Sequence, residues 1–93
     1  MIQSFRSKET EQIWQEKGSR NLPSNIQRAA LRKLFILHSA ERLEDLRMPP
    51  GNRLERLKGQ RAEEPSIRIN DQWRICFVWN EGDAYQVEIV DYH

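Results

Sequence analysis

The sequence predicts an α+β fold, with two helices that precede an antiparallel sheet. Apolar residues recur at helical spacing in the first half of the chain, and after Gly51 the spacing changes to the alternation that is typical of strands. A length of 93 residues allows one modest core and argues against a second domain. We therefore expect a single domain over residues 1–93, in the order β-α-α-β-β-β, with both helices packed on one face of the sheet.

The first expected elements are a short strand and a helix. Ile2 and Phe5 are the apolar residues of the opening strand. Ser7 can accept a hydrogen bond from the first turn of a helix, which we expect over residues 8–17. Gly18 follows directly and is a natural helix end, because glycine adopts the left-handed conformation at no steric cost.

A second helix is expected over residues 24–39. Ser24 and Gln27 have the spacing of a capping box. Ser39 could cap a short further turn that ends before Pro49. The apolar face of the second helix comprises Ile26, Ala29, Ala30, Leu34 and Leu37.

Strands are expected in the second half of the chain. Residues 54–57 form a short strand or extended arm, and residues 66–70 alternate between polar and apolar. Residues 73–79 and 85–89 alternate as well, and residues 80–83 have the composition of a hairpin turn between them. The face that we expect to meet the helices comprises Ile67, Ile69, Trp73, Ile75, Phe77, Val87 and Ile89.

Composition excludes several classes of protein. The net charge is +1 and aromatic residues make up 9%, which argues against disorder despite 31% charged residues. No apolar run approaches the roughly 20 residues of a membrane span, and no secretory signal is visible, so we expect a cytoplasmic protein without membrane contact. Cys76 is interpreted as a packing residue and His38 as a helix-surface or partly buried histidine, and no spacing of ligands predicts a metal or another cofactor.

A basic strip follows the prolines in the middle of the chain. It spans residues 47–61 and has one acidic side chain, Glu55. Such a strip favours partners that carry phosphate. Alternatively, it is a solvated loop that pairs with residues 75–93, which have four acidic side chains and no lysine or arginine. The basic side chains of the strip are Arg47, Arg53, Arg56, Lys58 and Arg61.

Two arginines are expected side by side on the face of the sheet that the helices leave open. Arg68 and Arg74 lie on adjacent antiparallel strands, opposite the apolar alternation. Like charges in this arrangement repel each other unless an acid or an anionic ligand lies between them. Either the two guanidinium groups hold a phosphate, or Glu88 on the next strand neutralises Arg74.

Three groups that can transfer protons follow the last strand. Asp91, Tyr92 and His93 supply a carboxylate, a phenol and an imidazole, and the final residue also carries the α-carboxylate. The alternative is a frayed chain end without a chemical role.

Taken together, these segments resemble the HigB toxins of the RelE/ParE superfamily, especially the HigB/GraT branch. The resemblance covers nearly the whole chain, and its most specific parts are PPGNRLE, SIRINDQWRICF and EIVDYH, in that order. It implies a RelE-like fold and a type II toxin, a ribonuclease that enters the ribosomal A site and cleaves translated messenger RNA. It also implies a HigA-like helix-turn-helix antitoxin, with operator DNA bound only through the complex.

The resemblance also implies roles for individual residues. The terminal groups, the lysine and arginine of LKGQR and the arginine after Trp73 match residues of the family's site. The catalytic residues implied in this way are Lys58, Arg74, Asp91, Tyr92 and His93. Together with the basic strip, the resemblance implies RNA binding by Arg53, Arg56, Arg61 and Arg68.

The identity of the general base stays open at this stage. Glu55 occupies the place of a histidine in the family, which makes it a further catalytic candidate beside Tyr92, His93 and Asp91. Two other functions also stay open: a ParE-like toxin that inhibits gyrase without nuclease activity, and a non-catalytic module that binds RNA or protein.

Overall fold

The computed structural model describes residues 1–57 and 64–92, which form two helices and a four-stranded antiparallel sheet. In chain order the elements are α1 (Lys8–Trp14), α2 (Ser24–Ser39), two 3₁₀ turns (Leu43–Arg47 and Pro50–Asn52), β1 (Glu55–Arg56), β2 (Pro65–Arg68), β3 (Trp73–Asn80) and β4 (Asp83–Asp91). The strand order is β1-β2-β3-β4, so the predicted α+β fold is confirmed. No helix in the described residues is long and apolar enough to cross a membrane.

Helix α1 begins as predicted and ends early. The Oγ of Ser7 accepts a hydrogen bond from the N–H of Thr10 at 3.1 Å, so the predicted cap is confirmed. The helix ends at Trp14, because Glu16 already adopts a left-handed backbone with φ of 61°. Gly18 is left-handed too, but the helix has ended before the chain reaches it.

Helix α2 has the predicted bounds but a different cap. The N-cap residue is Pro23, whose φ of −55° suits a helix start, and Ser24 is the first helical residue. The prediction of a capping box with Ser24 at the N-cap was therefore wrong. The side-chain amide of Gln27 instead donates to the carbonyls of Ser19 and Leu22, at 2.7 and 2.9 Å, and fastens the connector that precedes the helix.

The first 3₁₀ turn is capped by an acid within it. The carboxylate of Asp45 accepts hydrogen bonds from the backbone N–H groups of Glu41 and Arg42, at 3.1 and 3.0 Å. Ser39 was predicted for this role, but it is the last residue of α2 and lies too early in the chain. The backbone donors, Arg42 first, hold the pKa of Asp45 below its ordinary value.

A β-bulge changes which side chains of β4 point towards the core. Gln86 has a φ of 55°, and the register with β3 shifts between Cys76 and Val78. Ala84 is therefore buried in the core, whereas Tyr85, which alternates with Val87 and Ile89 in the sequence, is only half-buried. Alternation alone could not predict this change, because a bulge inserts one extra residue into the period of two.

The opening segment lies beside β4. Ile2 and Phe5 form single parallel bridges with Ala84 and Val87, so the expected opening strand is reduced to two bridges. The Nδ1 of His38 accepts a hydrogen bond from the N–H of Ile2 at 3.1 Å. His38 is half-buried and fastens α2 to the opening segment, which agrees with the expectation of a partly buried histidine.

The apolar face of the sheet packs against both helices. Ile75 on β3 lies opposite Ile67 on β2 and opposite Ile89 on β4, and all three side chains are buried. Because side chains alternate along a strand, the neighbouring residues of β2 and β3 lie on the other face. The largest fully buried apolar side chains are those of Phe77, Ile26, Leu34, Leu37, Leu46, Ile67, Ile75 and Val87.

Candidate active site

The polar face of the sheet forms a cleft of about 340 Å³. Its lining unites β1, β2 and β3 with the residues before β1 and after β4. Five of the predicted site residues line it together with Asn70 and Asp71. Those five are Arg53, Glu55, Arg68, Arg74 and Tyr92.

Arg74 forms the floor of the cleft. Its Nε donates to the Oγ of Ser66 at 2.8 Å, and its Nη2 donates to the carbonyl of Ser66 at 3.1 Å and to the carbonyl of Arg53. The residue is 6% exposed and Ser66 is fully buried. The expectation of an open face is therefore wrong at this point, because a hydroxyl and two carbonyls enclose the guanidinium group.

Charge is concentrated around this floor. Burial lowers the pKa of Arg74, while the nearby acidic groups of Glu55 and Tyr92 raise it and the guanidinium groups of Arg68 and Arg53 lower it. Arginine remains protonated at neutral pH even so. The cleft thus holds a desolvated cation within electrostatic reach of a carboxylate and a phenol.

Arg68 lies directly opposite Arg74, as predicted. Unlike Arg74 it is half-exposed, and its Nη2 forms an ion pair with Asp71 in the turn between β2 and β3. The alternative was that Glu88 on the next strand neutralises Arg74, but the carboxylate that raises the pKa of Arg74 is that of Glu55. Val90 is opposite Arg74, and Glu88 is opposite Cys76. The acid that pairs with Arg68 therefore comes from the turn.

Gln72 holds the end of β4. Its carbonyl accepts a hydrogen bond from the N–H of Tyr92 at 2.6 Å, and its side-chain amide donates to the carboxylate of Asp91 at 3.0 Å. Tyr92 is half-buried and lines the cleft. Asp91 is exposed, pairs with Trp73 across the sheet and lies outside the lining of the cleft.

Arg56 lies outside the lining of the cleft. Arg56 is exposed on β1 and lines two smaller hollows with Leu43 and Pro65, one of which shares Glu55 with the cleft. The other three predicted residues lie outside the described part of the chain. These are Lys58, Arg61 and His93.

Three polar residues of the site were not predicted to have a role there. Ser66 and Gln72 hold Arg74 and Tyr92, and Asn52 lies buried just before Arg53. For Ser66 a signal existed, since it alternates with Ile67 on the same strand as Arg68 and had to face the same side as Arg74. The roles of Gln72 and Asn52 depend on loop conformations that no spacing in the sequence reveals.

The cleft offers groups for acid–base and electrostatic catalysis. Three guanidinium groups can stabilise the negative charge that builds up on a reacting phosphate. Glu55 and Tyr92 can move a proton over a short distance. Within residues 1–57 and 64–92, no three His, Cys, Asp or Glu side chains cluster closely enough to hold a metal ion.

A second concavity lies on the helices. This apolar hollow, of about 740 Å³, is larger than the cleft. Phe35 on α2 is 61% exposed beside it. The residues that define the hollow are Trp14, Glu16, Leu31, Arg32, Phe35 and Ile36.

Comparison with known proteins gives consistent matches. A model of the HigB-like toxin family, described as the RelE-like toxin of the type II toxin-antitoxin system HigB, matches residues 3–93. Toxin HigB-1 of Vibrio cholerae is 45% identical over 85 residues, which cover 90% of each chain. Endoribonuclease HigB of Proteus vulgaris is 29% identical over 93 residues, the full length of both chains. The family match thus includes the helices, the sheet and the cleft.

Proposed function

The chain belongs to the HigB-like family, the RelE-like toxins of type II toxin–antitoxin systems, and we propose that it is an endoribonuclease that cleaves translated messenger RNA on the ribosome. The predicted family is confirmed. The activity proposed here is supported by the name of the Proteus vulgaris relative. The observation that carries it is the buried, hydrogen-bonded Arg74 with Glu55 and Tyr92 around it.

The proposed reaction is an attack of the ribose 2′-oxygen on the adjacent phosphorus. Glu55 or Tyr92 takes the proton of the 2′-hydroxyl, and the new oxygen–phosphorus bond forms as the bond to the 5′-oxygen breaks. The leaving 5′-oxygen takes a proton from a water molecule, and the base later returns its proton to the solvent. Arg74 and Arg68 stabilise the charge on the non-bridging oxygens. The products are a 2′,3′-cyclic phosphate and a 5′-hydroxyl.

The other predicted residues keep their proposed roles. We assign Lys58 and His93 to catalysis, and Arg53, Arg56 and Arg61 to RNA binding, from the family resemblance and the charge of the basic strip. Asp91 acts from outside the cleft lining, since it is bonded to the same Gln72 that holds Tyr92.

As a type II toxin, the protein has an antitoxin as its partner. We propose that this antitoxin is a HigA-like helix-turn-helix protein, and that the toxin meets operator DNA only in complex with it. The proposed site of action is the A site of ribosomes in the cytoplasm. There the ribosome would align the RNA, so that positioning contributes to the rate as well as the groups of the cleft.

The proposal is tested with purified protein, translating ribosomes and a defined messenger RNA. The wild type should cut the message only when it is translated, and each upstream fragment should end in a cyclic phosphate. Glu55→Gln and Tyr92→Phe, assayed separately and together, identify the general base. Arg28→Ala serves as a matched control, because Arg28 is exposed on α2 and does not line the cleft.

Two outcomes would overturn the proposal. One is an intact message combined with inhibition of gyrase supercoiling, which would indicate a ParE-like toxin. The other is an intact message to which the chain only binds, which would indicate a non-catalytic module.

A further inference from the structure

Asn52 is a fully buried polar residue directly before Arg53 of the cleft lining. Its Nδ2 donates to the carbonyls of Leu46 and Met48, both at 3.2 Å. Its Oδ1 accepts a hydrogen bond from the Nζ of Lys33 on α2, at 2.5 Å. A buried amide with its donors and acceptor all engaged fixes the segments that it joins, because breaking any one bond leaves a buried polar atom unpaired. Asn52 therefore fastens the loop before β1 to α2.

Arg53, which follows Asn52 in the chain, lines the cleft. Arg53 adopts a left-handed backbone with φ of 44° and ψ of 62°, and its carbonyl accepts a hydrogen bond from Arg74. A residue other than glycine keeps this conformation only where its surroundings enforce it. The N–H of Arg53 bonds the carbonyl of Pro50 at 3.1 Å, and the bonds of Asn52 hold the same turn in place.

Lys33 reaches this turn from α2 through its bond to Asn52. Its ammonium group is close enough to Arg68 for that guanidinium to lower its pKa, after the larger effect of burial and that of Arg32. Arg32, the next residue along the chain, lines the apolar hollow instead. Consecutive residues of an α-helix point in directions about 100° apart, so Lys33 contacts Asn52 while Arg32 lines the apolar hollow.

We propose that Lys33 and Asn52 are positioning residues for the reaction. They hold the left-handed turn at Arg53, and through its carbonyl they orient the guanidinium group of Arg74. Neither needs to contact RNA. The effect on the rate rests on the proposed function, whereas the effect on Arg74 does not.

The test compares Lys33→Met with Arg32→Met. Each variant removes one cation from the same helix, but only the first removes the bond to Asn52. In Lys33→Met, kcat for cleavage on ribosomes should fall on the order of tenfold with little change in KM, because misplaced catalytic groups slow the chemical step. Hydrogen exchange at Nε of Arg74, followed by NMR, should speed up. Arg32→Met should change neither quantity, and Lys33→Arg, which keeps a donor, should recover most of the rate.

Each outcome decides the matter. Equal losses of kcat in Lys33→Met and Arg32→Met would mean that only charge matters and would overturn the proposal, as would unchanged kcat and exchange in Lys33→Met. If wild-type protein cuts no RNA while Lys33→Met still speeds exchange at Arg74, the positioning role stands and the proposed function fails. If Lys33→Met does not fold, Asn52→Asp is the second variant. It keeps the acceptor for Lys33 and loses both donors, and the same two changes are expected.

Discussion

The cleft and the apolar hollow differ in size, charge and origin. The hollow has about twice the volume of the cleft, yet its lining is dominated by Trp14, Leu31, Phe35 and Ile36. The cleft is smaller, and its lining carries three guanidinium groups, two carboxylates and a phenol. Volume alone would therefore select the hollow, whereas the proposed chemistry belongs to the cleft. Opposite charges gathered around a desolvated cation are the better indication of chemistry.

The two regions also respond differently to substitution. Residues of the cleft are joined by hydrogen bonds that cross between elements, as between Arg74, Ser66 and Arg53. The hollow is formed by neighbouring residues on two helices. We therefore expect substitutions in the cleft to change the cleavage rate strongly, and substitutions in the hollow to leave it unchanged.

The strongest test of this contrast is Arg74→Ala. Cleavage should fall by about 10²-fold, the typical effect of removing one preorganised group that stabilises charge. The free energy of unfolding should also fall, by about 1–3 kcal/mol, since the carbonyls of Arg53 and Ser66 lose a buried donor. Cut ends are mapped by primer extension, and stability is measured by urea unfolding. A folded variant that cleaves within threefold of the wild type would remove Arg74 from the site.

Tyr92→Phe should have the next largest effect. Loss of the phenolic hydroxyl removes a proton-transfer group, and we expect the cleavage rate to fall about tenfold. This loss is smaller than the full contribution of acid–base catalysis, because Glu55 also lines the cleft and can transfer a proton. Stability should change by less than about 0.5 kcal/mol, because the ring is retained and only half-buried. An unchanged cleavage rate would indicate that the Tyr92 hydroxyl does not transfer a proton. Glu55→Gln would then be expected to lower the cleavage rate instead.

The sequence predicted the parts of this site that depend on strand periodicity. It placed Arg68 and Arg74 opposite each other, which the register confirms. It could not predict that Arg74 is buried, because the enclosing carbonyl comes from a left-handed turn at Arg53. The ion pair with Asp71 and the bulge at Gln86 are likewise properties of turns and backbone conformation. Such contacts depend on tertiary structure, which alternation of residue types does not encode.

Arg68→Gln and Asp71→Asn form a pair that tests the exposed edge of the cleft. Arg68→Gln should lower cleavage about threefold, and the lost ion pair should cost at most about 1 kcal/mol of stability, because exposed pairs contribute little. Asp71→Asn should instead maintain or raise cleavage, since it frees the guanidinium group for the RNA. Both rates are measured on the same translated message at two salt concentrations. A loss in Asp71→Asn as large as in Arg68→Gln would mean that the ion pair itself is required.

The supporting turn before the cleft should be sensitive to acid. The pKa of Asp45 is held below its ordinary value by backbone N–H groups of Arg42 and Glu41. In the unfolded chain that pKa returns to the ordinary value, so the stabilisation is complete above it and is lost as the pH falls through the range below about 3.8. Asp45→Asn should therefore lower Tm slightly at neutral pH, and the difference from the wild type should shrink at pH 3. A constant difference across this range would contradict the assignment.

The smallest expected effect is that of Phe35→Ser in the apolar hollow. Phe35 is 61% exposed on α2, so the substitution removes an apolar surface that the fold does not bury. Stability should change by at most about 0.5 kcal/mol, as is usual for exposed positions. The cleavage rate on ribosomes should stay at the wild-type level, because the side chain has no hydrogen bond or charge to contribute to the cleft. Circular dichroism is the control for folding. A folded Phe35→Ser protein that cleaves much more slowly would place the hollow within the machinery for RNA cleavage, and the contrast between the two regions would fail.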